Sequence, residues 1–121
     1  MRVRAARGAI VVASDDAETL LQATERLLSS LLERNDVPVE DLISVLFTVT
    51  DDLRSAFPAE AARRMGLGRV PLMCAREIPV AGAMPSVVRA LAYFHSDRGL
   101  EEVVHVYLDG AESLRDDLDA G

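Results

Sequence analysis

Val70-Pro71-Leu72-Met73-Cys74-Ala75-Arg76-Glu77-Ile78-Pro79 holds an apolar run, the single cysteine, an arginine and a glutamate within one short segment. Pro71 and Pro79 bound it, and Gly66 and Gly68 precede it, so it reads as a buried strand entered and left through turns. Alternation along a strand puts Met73, Ala75 and Glu77 on one face and Leu72, Cys74 and Arg76 on the other. Glu77 then has two readings: it emerges into solvent at the strand end, or it is drawn in beside a cation, because a buried carboxylate requires a partner.

Working outward, the 121 residues, half of them apolar, suit one compact domain spanning residues 1–121. Such a chain fills its core with little room left for an internal ligand pocket, so an oligomer with sites between subunits is expected. A formal charge of −7 argues against nucleic acid and against an anionic membrane as partners. All 13 basic residues are arginine, a bias that a GC-rich genome explains. Whatever its origin, every side-chain cation here other than histidine is a planar fork able to grip a carboxylate at two points. One cysteine excludes an internal disulfide, and His95 and His105 lack metal-ligand spacing around it. The start has no leader-like apolar core, and no apolar run approaches the ~18 residues of a spanning helix, so a cytoplasmic protein is expected.

The elements follow in order. Arg2 to Ala13 is a first strand interrupted at Gly8, where a close backbone approach or a bulge is expected. Arg7 beside it reads, by itself, as an ordinary exposed strand residue. A helix opens at Ser14-Asp15-Asp16, with Asp15 and Glu18 at capping-box spacing, and runs to Asn35. Its leucines form one broad stripe opposite Glu18, Gln22, Glu25, Arg26, Ser29 and Glu33, the pattern of a helix lying on a sheet rather than of a coiled coil. Leu42 to Thr50 is a second strand, rich in β-branched residues. Phe57-Pro58 leads into a short helix over Ala59 to Met65, ended by Gly66. Pro85 to Phe94, apolar on all sides, reads as a buried helix whose Arg89 needs an anionic neighbour. Val103 to Leu108 is a last strand, Asp109-Gly110 a turn, and Asp116 to Gly121 an acidic tail expected to fray. Strands thus alternate with helices, and the fold class is α/β (α+β): one mixed sheet covered by helices on one side.

The sequence has no Gly-rich phosphate loop, dinucleotide fingerprint, zinc signature or serine elbow. Cys74 with His105 could be drawn as a nucleophile pair, but a lone cysteine in an apolar strand is more often packing. What remains is a scatter of arginines with Cys74, Glu77 and Tyr107, a set suited to holding anions and hydroxyls.

Five blocks then carry a resemblance: Arg4-Ala5-Ala6-Arg7-Gly8-Ala9, Phe47-Thr48-Val49-Thr50-Asp51-Asp52-Leu53, Ala56-Phe57-Pro58-Ala59-Glu60-Ala61-Ala62-Arg63, Val70 to Glu77, and His105-Val106-Tyr107-Leu108 with Leu114-Arg115. In order, spacing and total length the chain resembles the AroH-type monofunctional chorismate mutases. The resemblance implies a homotrimer, a trimeric pseudo-α/β barrel with active sites in clefts between subunits, converting chorismate to prephenate without a cofactor. It also implies roles. Arg7 would grip a substrate carboxylate, as would Arg63, which the resemblance selects over Arg64. Arg89 would address the ether oxygen and a carboxylate, Glu77 and Cys74 the ring hydroxyl, and Tyr107 the side-chain carboxylate. Phe57, Met73 and Leu114 would form the apolar wall, with Arg115 at the rim. Glu60 stands where the family can carry a lysine, and Met73 where it can carry a smaller or polar residue. Two alternatives from other classes are a small trimeric imine deaminase and a non-catalytic carboxylate-binding regulatory module.

Overall fold

The computed structural model describes residues 1–115. Five strands, β1 (Arg2–Val11), β2 (Leu42–Val49), β3 (Leu72–Arg76), β4 (Val87–Ser96) and β5 (Val106–Leu108), form one sheet in the order β3-β2-β4-β1-β5. β4 is antiparallel to both β1 and β2, whereas β5 runs parallel to β1 and β3 parallel to β2. Two α-helices, α1 (Ala17–Arg34) and α2 (Ala59–Arg64), complete the described residues together with short 3-10 turns. No helix among them is long and apolar enough to cross a membrane.

The register sorts the side chains into two faces. Ala6 and Ile10 of β1, Val88, Ala90, Ala92 and Phe94 of β4, and Val45 and Phe47 of β2 share one face and are buried with the α1 leucines Leu20, Leu27, Leu28 and Leu31. Gly8 lies on this face and lets α1 and β5 close in: a Cβ there would stand 2.5 Å from the Val106 carbonyl oxygen and 2.9 Å from Leu27 Cδ1. That is the close approach expected of it, with no bulge, since the β1–β4 register runs unbroken through the position. The other face carries Arg7, Arg89, Leu91, Tyr93, Leu46, Thr48 and Met73, and among the described residues only its end near Ala9 and Val87 is covered, by the 3-10 turn Ala111–Arg115.

Several expectations change. Pro85 to Phe94 is not a helix: residues 87–96 form the central strand, with Val88, Ala90, Ala92 and Phe94 buried in period two. A strand hydrogen-bonded on both edges is apolar enough to imitate a buried helix. β3 is not buried but lies at a sheet edge, with Met73 66% exposed, because no helix among the described residues meets its outer face. Its alternation holds: Leu72 and Cys74 lean on the core while Met73 and Ala75 face out. The last strand is shorter than Val103 to Leu108, since Val104 is taken by the buried Asn35 side chain. That amide accepts from the Val104 N–H at 2.8 Å and donates to its carbonyl at 2.9 Å. At the start of α1 the cap is Asp16, accepting from the Thr19 N–H at 3.0 Å. Asp15 instead accepts from the backbone N–H groups of Arg54 and Ser55, tying the loop after β2 to the helix start. The tail from Asp116 lies outside the described residues.

Candidate active site

On the open face the sheet register brings together residues far apart in sequence. Thr48 of β2 stands opposite Arg89 of β4, Leu46 opposite Leu91, Arg7 of β1 opposite Leu91, and Tyr107 of β5 opposite Ala9. Arg7, Leu46, Thr48, Arg89, Leu91 and Tyr107 line a depression of about 220 Å³. Leu114, on the 3-10 turn, packs with Tyr107 around Ala9 and Val87 at its end.

Glu77 takes the second of its two readings. Its N–H donates to the Val49 carbonyl at 2.9 Å, carrying the β2–β3 ladder one residue past the strand. The carboxylate turns to the open face, where Oε2 accepts from Arg89 Nε at 3.0 Å and from Thr48 Oγ1 at 2.7 Å. The Glu77 side chain is 19% exposed and that of Arg89 40%; Arg89 lines the depression, whereas Glu77 lines a neighbouring hollow with Thr50 and Ile78 and reaches Arg89 from that side. Among the described residues the terminal nitrogens of Arg89 take no hydrogen-bond partner, and the Arg7 guanidinium has no anionic one. A fixed cation pair of this kind, partly offset by one carboxylate, is built to receive an anion with a hydroxyl beside it.

A family model described as chorismate mutase type I matches residues 3–118. The chain belongs to that family. It is 52% identical over 119 residues to the chorismate mutase AroH of Thermus thermophilus, covering 98% of each chain. It is 36% identical to the chorismate mutase AroH of Bacillus subtilis, covering 98% of this chain and 94% of that one. The solved chorismate mutase from Clostridium thermocellum superposes with a TM-score of 0.89 at 40% identity, over 91% of this chain and 98% of that one.

For a chorismate mutase the remaining expected residues are distributed unevenly. Phe57, 73% exposed, and Cys74 line a second depression of about 530 Å³ between β3 and the loop after β2. The Cys74 thiol and the Glu77 carboxylate thus lie on opposite sides of β3, and one chain does not bring them together. Met73 stands on the open face beside Leu46 and lines neither depression. Arg63 also lines neither; its Nε donates to Glu60 at 3.1 Å on the exposed side of α2. Arg64 is committed to α1 through Glu18 at 2.8 Å, which leaves Arg63 as the arginine of that pair turned away from the fold. Arg115 ends the last 3-10 turn, and its side chain lies outside the described residues. Leu46 and Thr48 were not singled out in the sequence. Their signal was the period-two alternation of β2, which marks a face without saying what gathers there.

His105 adds a constraint behind Arg7. Its Nδ1 accepts the Arg7 backbone N–H at 3.1 Å, which assigns the ring proton of the neutral form to Nε2. Burial, and then the Arg7 charge, hold its pKa below the ordinary 6.5, so the neutral acceptor form is the native one at neutral pH.

Proposed function

We propose that the chain rearranges chorismate to prephenate by restricting the substrate's conformation and by electrostatic stabilisation, with no covalent intermediate. The reaction breaks a carbon–oxygen bond while making a carbon–carbon bond within one dianion, so no nucleophile is required. Binding with the enolpyruvyl arm held over the ring removes part of the entropic barrier in advance. Arg89 directs its terminal nitrogens at the ether oxygen, where negative charge grows as the bond stretches, and at a carboxylate. Arg7 and Arg63 grip carboxylates, Tyr107 contacts the side-chain carboxylate, and Glu77 with Cys74 receives the ring hydroxyl. Phe57, Met73 and Leu114 form the apolar wall, and Arg115 closes the rim.

The observation that carries this reading is the one-point pairing of Arg89 with Glu77, beside an Arg7 that no carboxylate among the described residues neutralises. Because Phe57, Cys74 and Arg63 stand apart from that pair in one chain, the complete site is an intersubunit cleft of a homotrimer. The exposed Val3, Met73 and Tyr93 of the open face favour the same assembly. Nothing observed favours an imine deaminase or a non-catalytic binding module.

The test is loss of chorismate's ultraviolet absorbance with purified protein alone. Wild type is expected to show saturable turnover, and Arg89→Ala to lose at least about a hundredfold in kcat, the scale of one preorganised donor, while keeping the wild-type assembly. Wild type at the spontaneous rate would end the proposal.

A further inference from the structure

Arg–carboxylate pairs favour the two-point fork, in which both carboxylate oxygens meet two guanidinium nitrogens. Arg89 and Glu77 do not form it: Nε alone bonds, and to Oε2 alone, at 3.0 Å. The same Oε2 also accepts from Thr48 Oγ1 at 2.7 Å, across 29 residues of chain. Thr48 stands directly opposite Arg89 in the β2–β4 register, so sheet hydrogen bonds set the distance between hydroxyl and guanidinium. A β-branched side chain on a strand is stiff at χ1, which makes that hydroxyl a fixed post. Two donors on one oxygen fix the rotation of the carboxylate and leave Oε1 without a partner among the described residues.

We propose that Thr48 is a positioning residue for catalysis: its hydroxyl holds Glu77 in one-point contact with Arg89, so that both terminal nitrogens of Arg89 and Oε1 of Glu77 stay available to the substrate. Without the hydroxyl, the carboxylate rotates into the fork and occupies a guanidinium nitrogen that the transition state requires. The substrate still binds through the other arginines, but the cation that should meet the developing charge is partly neutralised and turned. The loss therefore falls on kcat more than on KM. This inference rests on the roles proposed above for Arg89 and Glu77.

Thr48→Val keeps the shape of the side chain and removes the hydroxyl; Thr48→Ser keeps the hydroxyl. The expected result is a fall in kcat of about 10- to 100-fold for the Val variant, as for loss of a hydrogen bond to a charged group, with KM changed less than about threefold. The Ser variant should recover most of that loss. Thr48→Ala repeats the test in case the Val variant folds poorly, and thermal melts run beside each assay. A merely structural role would lower the melting temperature without the kcat–KM split, and Ser would not rescue it. A Val or Ala variant within about twofold of wild-type kcat, or a Ser variant as slow as Val, would overturn the inference. Arg89→Ala assayed in the same series separates the two layers. If it stays active, the roles assigned to the pair are wrong; if it is inactive while the Val variant is unaffected, only the role of Thr48 is.

Discussion

Gly8 shows how one residue decides a local distance. The space a side chain would need there is already filled by a backbone carbonyl on β5 and by a leucine methyl on α1. The leucine can rotate away, but the Val106 carbonyl cannot without parting β5 from β1. Gly8→Ala is therefore expected to cost about 1 to 3 kcal/mol, read as a lower urea midpoint, and to lower activity as well because Tyr107 follows Val106 on the displaced strand. An unchanged midpoint would mean that the strand pair is looser than its register implies. The need for glycine was legible in the sequence as an interruption in a β-branched run. Which neighbours close in on it was not. Nor was the fate of the two adjacent arginines on α2: sequence spacing treats Arg63 and Arg64 alike, and only the position of α1 commits Arg64 to Glu18.

At the scale of elements, the end of β5 is extended by a side chain. One residue before the strand, His105 takes the Arg7 N–H where a ladder carbonyl would otherwise stand. That bond needs an unprotonated Nδ1. Burial and the nearby Arg7 charge lower the folded pKa below 6.5, so between that lower value and 6.5 the unfolded chain binds more protons than the folded one. Stability from this group is then fully present above the unfolded value and is lost as pH falls through the window. Urea midpoints at roughly pH 7.5 and 5.5 should show wild type losing stability at the lower pH. His105→Gln, which can still accept the Arg7 N–H, should show a smaller loss, and an equal loss in both would assign the effect to other groups. β4 is the element whose sequence misled. Its alternation of Val88, Ala90, Ala92 and Phe94 against Arg89, Leu91, Tyr93 and His95 is complete, but leucine and tyrosine on the outer face blur the polarity contrast that normally reveals a period of two. β2 was legible because its run from Leu42 to Thr50 is rich in β-branched residues, although Leu46 stands on its outer face with Ser44 and Thr48.

For the molecule as a whole, the open face of the sheet is the feature the described residues of a single chain leave uncovered. Val3, Met73 and Tyr93 are apolar side chains standing on it in water, on the same face as the arginines proposed to receive the substrate. In the proposed trimer that surface is shared between subunits, so assembly and activity should fail together. Tyr93→Asp is expected to shift the sizing profile toward the 13.1 kDa single chain and to lose turnover in parallel. A fully active wild type that sizes as a single chain would refute the assembly. The sequence by itself determined the period of α1, the strand β2, the glycine on β1, the order of the arginines and the family to which the chain belongs, because each is written in residues close together or in blocks of fixed spacing. The tertiary structure alone decided that β4 is the centre of the sheet, which face the described residues leave open, that Glu77 meets Arg89 at one point, and that Thr48 donates to the same carboxylate oxygen. Those outcomes depend on pairing between strands distant in sequence, and a one-residue change of register would send every one of these side chains to the opposite face.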